Sequence, residues 1–273
     1  MHVEHNQKIA LCEFGEELGL IAPETRNRQD KQKKVEQILS FVEEIATVSR
    51  HYSKSKPLQL VDGAAGSCAL GFFIYHYYHG LIGRSVQVKS IDTNAALMQK
   101  AANTAHRLGF SGMDFQNGDV LDLETQVQPD VVCGLHACDL ATDKVIALGV
   151  RTGARNILSV SCCQHSFRKK MTFAPELRFF TEHRIYRDRM TYMVADSMRA
   201  LLLEMVGYRA SVVEFVSSRA TDKNAMLRAA RTNLPASRSA IEGYLRLRDA
   251  YRTAPRLEDY LFAFGRLPEA VRT

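Results

Sequence analysis

Residues 60–70 read Leu-Val-Asp-Gly-Ala-Ala-Gly-Ser-Cys-Ala-Leu. The short apolar run Leu58–Asp62 has strand character, and the apolar segment Leu70–His79 that follows has helix character. Between them lies a turn of small residues. A strand that stops in small residues and opens a helix lets backbone N–H groups approach a ligand closely. The same residues also satisfy a plain tight turn, so the stretch takes its meaning from what surrounds it.

The pattern continues outward. Strand candidates follow at Ser85–Asp92, Met113–Gln116, Asp130–Gly134 and Asn156–Ser161, with helical segments at Ala95–Leu108 and Thr142–Val150. Such alternation predicts a parallel sheet with helices on both faces. Right-handed crossovers then bring the strand C-termini to one edge, where ligands bind. The last third departs from this rhythm. Asp188–Gly207 reads as a long helix, and Ala210–Val216 and Ala225–Ala230 read as two strands joined by a hairpin-like connection. Upstream, residues 30–50 place Val35, Ile38, Leu39, Phe41, Val42 and Ile45 on one helical face. Residues 236–264 look helical. The expectation is an α/β fold with a mostly parallel seven-stranded sheet and an antiparallel terminal strand. Residues 1–29 form an N-terminal extension, 30–231 the domain, and 232–273 a C-terminal helical extension.

Three strand ends carry acids. Asp62 closes the first. Asp92 closes the second, 26 residues after Gly66 (92 − 66). An acid there accepts from both hydroxyls of a ribose, or else caps the next helix. The third strand runs into Asn117-Gly118-Asp119-Val120, where Asp119 suits an adenine amino group and Val120 the ring face, or else a polar turn. The three signals in order point to an adenosine cofactor. The chain has no G-x-G-x-x-G, which favours S-adenosylmethionine (SAM) over a nicotinamide dinucleotide.

The turn after the first strand stands where methyltransferases carry motif I, commonly D/E-x-G-x-G-x-G. Aligned on Asp62, this chain has Ala64, Gly66 and Cys68 where glycines are usual. The fourth strand runs into His136-Ala137-Cys138-Asp139-Leu140-Ala141-Thr142-Asp143, and the fifth into Cys162-Cys163-Gln164-His165. These runs resemble a methyltransferase family that shares a domain with eukaryotic tRNA 2′-O-methyltransferases of the Trm13 type, which carry a similar H-x-C-G-x-A-T-D and C-C-H-H. Methyltransferase-like protein 25 and the C-terminal part of a glutathione-transferase-like protein resemble it too. Ala195–Ala200, Leu202–Glu204, Gly207-Tyr208, Glu214-Phe215 and Thr221–Asn224 are similar to bacterial members. The resemblance covers roughly residues 30–231. It implies a Rossmann-like class I methyltransferase that holds SAM through Asp62, Ala64, Gly66, Asp92, Asp119 and Val120.

Methyl transfer to a neutral nucleophile needs an aligned acceptor and a proton acceptor. His136, Asp139 and His165 are the candidates, each with an equally plain structural reading. Thr142 and Asp143 suit helix capping. Lys223 suits a phosphate, or solvent. Cys138, Cys162, Cys163 and the two histidines are zinc-ligand types. However, no C-x₂-C is present, and adjacent Cys162 and Cys163 are expected to point apart. No metal is assigned, and the thiols are read as buried packing beside the cofactor.

The chain has 273 residues, 46% hydrophobic and 24% charged, the balance of a globular protein with a real core. The N-terminus lacks the pattern of a secretory leader, and no apolar stretch suits a membrane span. Six cysteines in mostly apolar contexts suit reduced thiols and a cytoplasmic location. The net charge is +6. Basic residues gather late: Arg168, Lys169, Lys170, Arg184, Arg187, Arg189, Arg199, Arg219, Lys223, Arg228 and Arg231. They form either a solvated surface or a polyanion-binding face. RNA, through a tRNA ribose 2′-OH, is the favoured acceptor. The alternatives are a protein or small-molecule acceptor, or a non-catalytic SAM- or RNA-binding module. Oligomeric state is left open.

Overall fold

A computed structural model describes residues 3–19, 28–218, 221, 223–232, 234–235 and 237–271. Arg219 and Asp222, and residues 20–27 of the N-terminal extension, lie outside the described residues. The strands are β1 Leu58–Gly63, β2 Val86–Asp92, β3 Met113–Asn117, β4 Val131–Leu135, β5 Asn156–Val160, β6 Tyr208–Glu214 and β7 Ala225–Arg231. The helices are α1 His5–Glu17, α2 Arg28–Ser49, α3 Ala69–Tyr75, α4 Ala95–Arg107, α5 Leu140–Arg151, α6 His165–Lys170, α7 Arg178–Thr181, α8 Arg184–Met205, α9 Arg238–Tyr251 and α10 Leu257–Ala263.

The seven strands form one sheet in the order β3-β2-β1-β4-β5-β7-β6. β1 to β5 are mutually parallel, and β7 runs antiparallel to both its neighbours. The reversed strand is last in sequence yet lies between β5 and β6 in space. This follows from the hairpin. β6 and β7 pair from Tyr208↔Arg231 to Glu214↔Ala225, so β7 returns alongside β5 with no helical crossover.

Local chemistry sets the boundaries. Asn94 Oδ1 accepts from the Leu97 N–H at 3.1 Å and starts α4. Ser237 Oγ accepts from the Ala240 N–H at 3.3 Å and starts α9. The single expected C-terminal helix is two. α9 ends at Tyr251, capped by Arg252 with φ +47°, and Pro255 disfavours helical backbone at the residue before it. α3 runs on into a π-helical turn, His76–Leu81.

Each sheet face has its own core. One packs Leu11, Phe14, Val35, Ile38, Phe41, Phe73 and Met98 from α1 to α4 against β1 and β2. The other packs Val145 and Ile146 of α5, Met198 and Leu202 of α8, Tyr244 of α9 and Leu257 and Leu261 of α10. Both terminal segments therefore supply core side chains. Burial of this kind contributes about 25 cal/mol per Å² of apolar surface. Between β3 and β4 the described chain makes only a 3-10 turn, Val120–Asp122. This leaves a polar trough of about 780 Å³ lined by Gln59, Gln87, Lys89, Asp114 and Gln116, away from the strand C-termini. No described helix is long and apolar enough to cross a membrane.

Candidate cofactor and acceptor site

Gly63, Asp92, Asn117, Leu135 and Val160 end the five parallel strands on one edge. The loop after β1 is pinned to β2 by backbone and side chain together. The Ala65 N–H donates to the Ile91 carbonyl at 3.0 Å, and the Gly66 N–H donates to Asp92 Oδ2 at 2.8 Å. Ala64, Gly66 and Cys68 have φ of +55°, +54° and +58°. The loop keeps a left-handed backbone at all three motif I positions, although two of them carry a side chain. That conformation costs an L-residue about 1–2 kcal/mol. Here the strain is concentrated in the turn that carries the loop back against the end of β2.

Asp92 is clamped. Oδ1 accepts from the Asn94 N–H at 2.9 Å, and its carbonyl accepts from Asn117 Nδ2 at 3.1 Å and the Gly118 N–H at 3.0 Å. The helix-capping alternative passes to Asn94. Asp92 keeps free lone pairs on both carboxylate oxygens, which suits two ribose hydroxyls. Asp62 is buried, and its Oδ2 has no hydrogen-bond partner. Burial raises its carboxyl to about 7; the Gly71 N–H opposes the rise and the Asp92 charge adds to it. That oxygen lies beneath α3, beside Gly71 and Ser90. Asp119 starts the 3-10 turn, with Oδ1 accepting from the Leu121 N–H at 3.0 Å, while Oδ2 pairs with Lys144 of α5. Partial burial pushes its carboxyl up, but the Lys144 and Leu121 hydrogen bonds outweigh that and hold it low. Val120 is buried in the core.

The acceptor side is built from the loops after β4 and β5. His136 has φ +59°, and its Nε2 lies 2.5 Å from Gln37 Oε1 of α2. With that amide oxygen accepting, Nε2 carries the proton and Nδ1 presents its lone pair. Nδ1 is buried and without a partner. Burial, and then the Lys34 charge, lower the His136 pKa. Asp139 accepts from the Ser166 N–H at 2.9 Å and from Ser166 Oγ at 2.5 Å. Its φ of +53° and ψ of −114° suit glycine, the residue that the resembling family carries there. Arg199 of α8 is 1% exposed and donates to Asp143, Asp196 and Gln164. The other Asp143 oxygen accepts from the Arg256 N–H at 3.0 Å.

A family model described as a methyltransferase domain matches residues 30–170, more than half of the chain. The chain belongs to that family. No curated protein sequence matches it at a significant level. Solved structures similar to it include magnesium protoporphyrin IX methyltransferase from Synechocystis PCC 6803 with bound SAH. That one is 13% identical with a TM-score of 0.49, over 81% of this chain and 95% of that one. The 23S rRNA methyltransferase ErmE is 13% identical with a TM-score of 0.42, over 75% and 74%. The Pyrococcus abyssi tRNA (uracil-54, C5)-methyltransferase is 13% identical with a TM-score of 0.37, over 72% and 38%. The expectation of a SAM-dependent methyltransferase stands with the family and the sheet, and with it SAM as the cofactor.

Several residues of the methyltransferase differ from their expected roles. Thr142 and Asp143 lie inside α5 and do not cap it: Thr142 Oγ1 donates to the Ala137 carbonyl, and Asp143 pairs with Arg199. Arg199 is buried and leaves the basic surface. Arg228 pairs with Glu44 at 3.2 Å. Lys223 Nζ sits 3.8 Å from the Tyr192 ring centroid. His165 is exposed beside Arg168, Lys169, Met171, Phe173 and Arg187 at a cavity of about 350 Å³. Among the described residues no hydrogen bond joins His136, Asp139 and His165. Cys162 and Cys163 do not diverge, because β5 ends at Val160 and they lie in a turn. Cys138 is exposed rather than buried. The long-range partnerships of Gln37, Lys144, Ser166 and Arg199 were beyond sequence reasoning, since each meets a partner 25 or more residues away.

Proposed function

We propose that this domain transfers the SAM methyl group to an RNA ribose hydroxyl, in the branch that includes tRNA 2′-O-methyltransferases. SAM lies along the edge, its ammonium toward Asp62, its ribose on Asp92 and its adenine beside Asp119. SAM supplies the electrophile. A ribose hydroxyl is neutral and must shed a proton as it attacks. His136, whose pKa burial lowers, takes that proton on Nδ1, which is buried and unpaired until the acceptor loops admit the ribose.

The observation that carries the RNA reading is the rim beside the acceptor loops. Phe179 and Phe180 are 76% and 57% exposed, and Ile185, Tyr186 and Met193 are exposed with them. Arg178, Arg184, Arg189, His165, Lys169 and Lys170 are exposed in the same stretch of chain, as are Glu176 and Glu182. Exposed aromatic rings among cations suit stacked bases on a phosphate backbone. The small-molecule alternative draws on the 350 Å³ cavity at His165, which lies within the ordinary size of small-ligand pockets.

The test incubates the full chain with methyl-labelled SAM and separate RNA, protein and small-molecule fractions. Label in RNA that survives alkaline hydrolysis as a dinucleotide is expected, because a methylated 2′-oxygen cannot attack its phosphate. His136→Ala should lower the rate by about a hundredfold or more while SAM still binds. Label confined to protein or to small molecules would sink the RNA reading.

A further inference from the structure

Cys138 follows β4, and Cys162 and Cys163 follow β5, yet their three sulfurs lie within 4.8 Å of one another. Cys138 Sγ is 2.6 Å from Cys162 Sγ. No histidine nitrogen or carboxylate oxygen among the described residues joins the group. Three soft donors converge from two loops at one point, at the ligand edge of the sheet. Cys138 is exposed, so the group is reached from solvent.

We infer that Cys138, Cys162 and Cys163 form a zinc site with three thiolate ligands. Zn²⁺ binds thiolate sulfur at about 2.3 Å, so tetrahedral ligands sit about 3.8 Å apart. The Cys138–Cys162 separation of 2.6 Å is shorter than that spacing and must open, while all three sulfurs lie within 4.8 Å of one another. On binding, three S–H bonds break, three Zn–S bonds form, and three protons pass to the buffer. No redox step is involved. Three protein ligands leave a fourth position free, the arrangement of zinc sites that receive a water or a substrate atom. The ion ties the loop of His136 and Asp139 to the loop of Gln164 and His165. As a thiol, Cys162 donates its S–H to the His136 carbonyl at 3.7 Å, and it gives up this contact when it ionises to bind zinc. The site stands on the sulfur geometry and is independent of the acceptor.

The test uses the reduced full chain, freed of metal and titrated with Zn²⁺ and, separately, Co²⁺. One ion per chain is expected, with sulfur-to-cobalt charge-transfer absorption and proton release that scales with buffer ionisation enthalpy. Loss of a mere outer-shell partner costs about 10–100-fold in affinity, so Cys162→Ser and Cys163→Ser should each cost at least that. Cys12→Ser, in α1, should change nothing. Circular dichroism checks the fold of each variant, and the wild-type cobalt spectrum stands even where a variant fails to fold. Absence of both metals from reduced wild-type protein would overturn the site. So would uptake unchanged in a Cys138→Ser/Cys162→Ser double variant, or a Cys138–Cys162 disulfide that yields thiols binding no metal.

Discussion

Arg199 Nε donates to Asp143 Oδ1 at 2.7 Å, and neither side chain reaches solvent. The guanidinium also reaches Asp196 and Gln164, both at 3.0 Å. One cation thus ties the first turn of α5, through Asp143, to Gln164 in the loop after β5. Burial pulls its pKa down, but the Asp143 and Asp196 charges outweigh that and raise it. Breaking such a buried set leaves two carboxylates without their cation. Arg199→Met should cost about 3–5 kcal/mol in urea unfolding. Arg199→Lys should recover only part, because an ammonium cannot span three partners in one plane. A loss below about 1 kcal/mol, the range of an exposed pair, would contradict this account.

Asp92 and Asp119 differ in what already holds them. Asp92→Ala removes two hydroxyl contacts and the Gly66 anchor, and should weaken SAM roughly a hundredfold or more in calorimetry. Asp119 is engaged by Lys144, so Asp119→Ala should cost only about tenfold. Equal losses would remove the ribose assignment.

Ala64 holds φ +55° with a methyl group in place. Ala64→Gly relieves about 1–2 kcal/mol of backbone strain and returns about 0.4–1 kcal/mol to the unfolded chain. The net expectation is a gain of about 0.5–1 kcal/mol in denaturant midpoint analysis. Destabilisation would show that the methyl packs usefully or that the loop is unstrained.

Asp62 offers a pH test. Its folded pKa is raised to about 7 by burial, from an ordinary 3.8. Folding therefore favours the protonated form. The stability it contributes is full below the unfolded pKa and is lost as pH rises through about 7. Asp62→Asn keeps the neutral state at all pH, so it should raise Tm at pH 8 by several degrees and far less at pH 5. The same variant should bind SAM more weakly, having lost the charge that meets the ammonium. A pH-independent effect on Tm would count against the buried acid.

Much of the fold was legible because hydrophobic period and turn chemistry are local. The strand ends at Asp92 and Asp119 follow from runs such as Val86–Asp92 that need no partner to be read. The short α6 and α7 were not foreseen, since fewer than eight residues carry no stable period. In the site, acids at strand ends were visible as residue types, whereas their engagement was not. Lys144, Gln37 and Arg199 reach their partners only after crossovers bring distant helices together. Cys162 and Cys163 were misread because strand alternation was extended past Val160 into a turn. Cys68 and Ala64 looked like departures from a glycine motif, and the backbone shows that the turn survived the exchange.

The Arg256 N–H on Asp143 gives the chain a direction in time. Every side chain assigned to SAM, with the Lys144 that braces Asp119, is made before the final helices α9 and α10. The acceptor wall waits for the final helices, because Asp143 gains its last donor only at residue 256. A nascent chain therefore passes through a stage that carries the whole cofactor half and lacks a finished partner to it. Premature release at that stage would leave the cofactor half without the buried Asp143 contacts that α8 and the final helices complete.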